Sequence, residues 1–253
     1  MRPRHAFAGL AIALGACGSP SAPATTPAEH HVETVTVRPT PPPVITWANG
    51  TFAVQGIPAI AAAGEVVVVA IVEPEHEDAN LRIEIRGADD RVLEAQTILT
   101  RADAGTLVHD GQPSPVLASR IAAMNSELAT LHGVHDLRPM HPLAVEPGHD
   151  GEDQHWATGD NLDVEWREHH LHVFRHNVSQ PVAERDGAPW AAATSAACSG
   201  RNPAFLGAVY HVAPGTTLPA AANTIVVEIA YHGDDTCEEP GNRPHVISWV
   251  GER

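Results

Sequence analysis

The sequence predicts a mainly β fold, between all-β and α+β: an antiparallel sandwich or split barrel carrying one amphipathic helix. Three observations predict it. Short runs of β-prone residues recur between turn residues, Asn49-Gly50 gives a hairpin signal, and only the segment after Ser114 shows sustained helical periodicity.

The globular region opens with Ile45–Val54, where Asn49-Gly50 separates two β-prone segments; both residues accept the positive φ of a type I′ turn. Glu65–Val72 is an unbroken apolar run rich in valine, as in a strand buried on both faces. Leu81–Arg86 alternates apolar and charged residues and reads as a half-exposed strand. Ala88-Asp89-Asp90 then turns the chain into a strand over Val92–Leu99. Ser114 can cap a helix and Pro115 suits its first turn. Leu117, Ile121, Met124, Leu128 and Leu131 draw one core-facing stripe, and Gly133 can end the helix. His135–Asp160 is polar and predicts no strand. Strands return at Leu162–Trp166 and Leu171–His176, around the turn-like Arg167-Glu168-His169-His170, and again at Phe205–Val212, Thr224–Tyr231 and His245–Val250. Asn80–Arg86 and Asn161–Arg167 share the pattern Asn-Leu-x-(Ile/Val)-Glu-(Ile/Trp)-Arg, which is what two related β units would leave. Chance likeness of exposed strands gives the same pattern.

The chain begins differently. Arg2 and Arg4 precede the apolar run Ala6–Leu14, which is too short to span a bilayer, and Leu14-Gly15-Ala16-Cys17 follows. This order resembles the lipobox of bacterial lipoproteins. The resemblance implies cleavage after residue 16, lipidation of Cys17 and anchoring to a lipid bilayer; Gly18 in place of Asp implies the outer membrane. The alternative is an ordinary secretory signal that leaves Cys17 as a free thiol. Residues 17–43, rich in Pro, Ala and Thr, cannot bury a core and read as a disordered tether. Residues 44–253 then form a single β-rich domain, long enough to need no metal or disulfide framework.

The basic residues are 15 arginines with no lysine, against 31 acidic residues, for a net charge of −16. A field of that sign repels nucleic acid, which is excluded as a partner. The missing lysine also excludes a Walker phosphate loop and Schiff-base catalysis. Cys198 and Cys237 remain after lipidation and, in an exported chain, are expected to pair as a disulfide. Nine histidines lie between His132 and His176. His170, His172 and His176 share one parity, so on a strand they would face one side, and imidazoles suit Zn, Cu or Ni. Neither a His-Glu-x-x-His pattern nor a Gly-x-Ser-x-Gly elbow is present, so no catalytic residue is assigned. The expected function is a non-enzymatic binding or envelope-structural domain with an unidentified protein or small-molecule ligand. The alternative is a periplasmic divalent-metal-binding or metal-dependent protein.

Overall fold

The computed structural model describes residues 40–72, 80–147, 154–191, 204–213, 221–231 and 242–250. The signal segment, the tether up to residue 39, Cys17, and the expected Cys198–Cys237 disulfide lie outside the described residues. Thr40–Arg253 is one compact unit. It takes in the last residues of the expected tether: Arg138 Nη1 donates to Thr40 Oγ1 at 2.7 Å.

The fold is mainly β, and every strand pair is antiparallel. Strands β1 (Val44–Ala48) and β2 (Thr51–Gln55) form the expected hairpin, with Asn49 and Gly50 at φ 55° and 80°. Next come β3 (Ala59–Ile60), β4 (Val66–Ile71), β5 (Leu81–Gly87) and β6 (Val92–Leu99), adjacent in that order. A short helix α1 (Arg101–Leu107) and the small hairpin β7 (Val108–His109) and β8 (Gln112–Pro113) precede the long helix α2 (Pro115–His135). Ser114 Oγ accepts the Leu117 N–H at 3.3 Å, as a helix N-cap should. The helix runs through Gly133 and ends where Asp136 adopts φ 50° and donates its N–H to the His132 carbonyl.

Strand β9 (Arg138–Pro147) occupies part of the stretch that sequence alone reads as strandless, and so does β10 (Gln154–Gly159). Pro139, Pro142 and Pro147 hide β9, because proline argues against a strand, and its two buried residues, Met140 and Leu143, stand three apart and enter different clusters. The first residues of β9 pair with β3, its middle with β14 (Ala204–Val212), and its last residues with β10. Beyond β10 the sheet continues through β11 (Leu162–Arg167), β12 (His170–Arg175) and β13 (Ala183–Asp186), and a short helix α3 (Ala188–Ala191) follows. On its other side β14 pairs with β15 (Thr224–Tyr231), and β15 with β16 (Arg243–Ser248).

Three apolar clusters separate four layers. One lies between α2 and the β3–β6 sheet and holds Ile83, Val68, Leu117, Met124 and Leu128. The next holds Val67 and Val69 of β4 against Val226 and Val246. The last holds Ile225, Val227 and Ile247 against Val164, Trp166 and Leu171 of the β9–β13 sheet. Successive residues of β4 and of β15 therefore enter different clusters, which explains their unbroken apolar runs. The outer face of β10–β12, by contrast, meets solvent. The two similar segments Asn80–Arg86 and Asn161–Arg167 each supply the first strand of a hairpin, but Asn80 is buried and Asn161 exposed at φ 65°.

Candidate anion-binding cleft

Strand β5 places its odd residues Leu81 and Ile83 in the helix-covered cluster and sends its even residues to the opposite face. The sequence predicts that this second face is open. It is open only at Arg82: Glu84 is 4% and Arg86 9% exposed, because the layer carrying β16 packs over that end of the strand. Burial of a carboxylate needs compensating donors, and they are present. Glu84 Oε1 pairs with Arg82 Nη2 at 2.8 Å, while its Oε2 accepts Arg86 Nε and Nη2 at 2.9 and 2.7 Å. Arg86 Nη1 donates to Asp90 Oδ1 at 2.7 Å, and the same oxygen accepts the Val246 N–H at 2.7 Å. His245 Nδ1 lies 2.8 Å from Asp90 Oδ2. Burial pushes the Asp90 carboxyl up, but the His245 and Val246 hydrogen bonds and the charges of His245 and Arg86 outweigh it and hold its pKa below the ordinary 3.8. His245 in turn stacks on Trp190 with centroids 4.2 Å apart, and Trp190 on the buried Trp166.

This network forms one wall of a cleft of about 550 Å³. Arg101, at the start of α1, and Arg243, at the start of β16, stand at its other edges, and Ile71 also lines it. Asn80, Thr97 and Thr100 add neutral polar groups. Among the described residues the lining thus collects four of the chain's 15 basic side chains and the carboxylate of Glu84, with Asp90 paired to Arg86 behind it, in a protein whose net charge is −16. Guanidinium groups offer paired N–H donors that match carboxylate and phosphate oxygens. The sequence carried part of this signal, Arg82-x-Glu84-x-Arg86 on one strand face. The contributions of Arg101 and Arg243 come from remote segments and are not visible in it.

Of the three histidines expected to share one strand face, His170 and His172 do so and His176 does not. His170 and His172 are on one face of β12, their rings 6.4 Å apart, and His172 stacks on Phe174. His176 lies beyond the strand, in the following turn, where Nε2 meets Asp163 Oδ1 at 3.2 Å. Strand β12 ends at Arg175 because its hairpin turn is the two-residue Glu168-His169, at φ 49° and 64°, which moves the strand one residue earlier than expected. Among the described residues no three His, Cys, Asp or Glu side chains converge as a metal-binding group. His141 and His211 both approach Asp160 Oδ2, at 2.5 and 3.5 Å.

No family model, curated protein or solved structure matches this chain. Its functional reading rests on the geometry of the chain itself.

Proposed function

We propose that Thr40–Arg253 is the non-enzymatic binding head of an exported, lipid-anchored envelope protein, and that it holds an anionic small molecule in the arginine-lined cleft. The observation that carries this reading is the gathering of Arg82, Arg86, Arg101 and Arg243 around one space, where Glu84 and the adjacent Asp90 hold Arg82 and Arg86 in place. Arg86 is fixed by Glu84 and Asp90, so it holds the wall in place. Arg82, with its side chain 47% exposed, has reach toward a ligand.

Titration calorimetry of the purified protein with pyrophosphate and with citrate tests this. Saturable binding is expected, weakened by about tenfold for each guanidinium removed in Arg82→Gln and Arg243→Gln. Failure of both anions to bind at about 10 mM would overturn the anion reading, as would unchanged binding in the double variant. Turnover of either probe that one cleft substitution abolishes would overturn the non-enzymatic part. The anchor is tested separately: Cys17→Ser is expected to move the protein from the membrane fraction to the soluble fraction.

A further inference from the structure

The outer face of the β10–β12 sheet carries a second feature, independent of the cleft. Register sets Trp156 opposite Glu165 and Asp163 opposite Phe174. The two aromatic residues therefore stand two strands apart, roughly 10 Å across the sheet, with the two carboxylates on the strand between them. A shallow groove of about 570 Å³ lies here, bordered also by Val178. Trp156 is 37% and Val178 41% exposed, so apolar surface meets water in a sheet whose other face is fully packed.

We infer that this groove binds an organic cation, an alkylated ammonium group, between the Trp156 and Phe174 rings and above Asp163 and Glu165. Charge complementarity decides the occupant. Aromatic faces present negative potential, the two carboxylates add full charges, and the net charge of −16 brings cations to the surface. An alkylated ammonium is weakly hydrated, so it leaves water readily for such a wall. Arg175 itself lines the groove, and His172 and His176 stand near it. Arg175 Nη2 donates to Asn223 Oδ1, His172 stacks on Phe174 and lies 3.6 Å from Glu184, and His176 meets Asp163 Oδ1. Asp163 and Glu165 line the groove as its acidic floor.

The test is an NMR titration of the purified protein with tetramethylammonium, reading the indole N–H of Trp156, assigned by its absence in Trp156→Phe. A saturable shift is expected, at least about tenfold weaker in Glu165→Gln, with an unchanged melting temperature showing that the variant is folded. tert-Butanol, a neutral group of similar size, is expected to give no saturable shift. Equal response to tert-butanol would make the groove a merely apolar patch and overturn the inference. So would the absence of any saturable shift at about 100 mM, or saturation by cellotetraose in place of the cation.

Discussion

Asp90 sits in a turn at φ 66° and accepts from Arg86, the Val246 N–H and His245, so one carboxylate joins β5 to β16. Its folded pKa lies below the ordinary 3.8, so the charge contributes stability above that value and the contribution disappears as pH falls through the lower folded value. Asp90→Asn is expected to lower stability by about 2 kcal/mol near pH 7, with the difference from the parent shrinking below pH ~3.8; urea melts across pH would measure it. Glu228 works the other way. Burial raises its carboxyl pKa above the ordinary 4.5, although Asn242 and Tyr210 hydrogen-bond to it, so its contribution is full in acid and is lost as pH rises through the raised value. The same burial, with the adjacent Glu228, pushes the Tyr210 hydroxyl up to about 12. Gly187 answers to space rather than charge. A Cβ there would lie 2.6 Å from the His169 carbonyl oxygen and closer still to the Trp166 ring. Gly187→Ala is expected to cost about 1–3 kcal/mol and to weaken the Trp166–Trp190 stack, visible in near-ultraviolet circular dichroism.

At the scale of elements, α2 was the most legible part of the sequence. Its stripe Leu117, Ile121, Met124 and Leu128 is buried, and its cap is the expected Ser114. Ser114→Ala should remove about 1 kcal/mol, read as a lower denaturant midpoint with unchanged slope. Its end was misplaced, because the left-handed turn is made by Asp136 rather than glycine. The hairpin at Asn49-Gly50 and the valine run of β4 were legible for local reasons, turn chemistry and unbroken apolarity. Strand β9 was not. Its buried residues do not alternate, prolines interrupt it, and no local signal announces that three different strands pair along it. Helix α1 and β13 are too short to carry a period.

For the whole molecule, β9 ties the layers together, and the stacking decides what each face of β5 and β11 becomes. The two strands have similar sequences. The charged side of β5 is roofed by β16 and becomes the cleft wall, whereas the charged side of β11 faces solvent and becomes the floor of the groove. The cleft gathers guanidinium groups on an acidic protein, so anion binding there opposes the long-range field and relies on short-range pairing. Raising NaCl from about 50 to 500 mM should therefore weaken pyrophosphate binding several-fold without abolishing it; calorimetry across the series would show this.

By itself the sequence determined the mainly β class, the long capped helix, the first hairpin and the two-faced burial of β4, because each follows from residues close together in the chain. It also determined the acidity, the absence of lysine and the lipobox-like start on which the anchoring proposal rests. Only the tertiary structure decided which arginines meet. Arg82 and Arg86 share a strand, but Arg101 and Arg243 reach the same cleft through separate elements. Likewise, which side of a charged strand is buried depends on the layer laid over it, and that layer comes from sequence more than 150 residues away, as the Asp90–His245 contact shows.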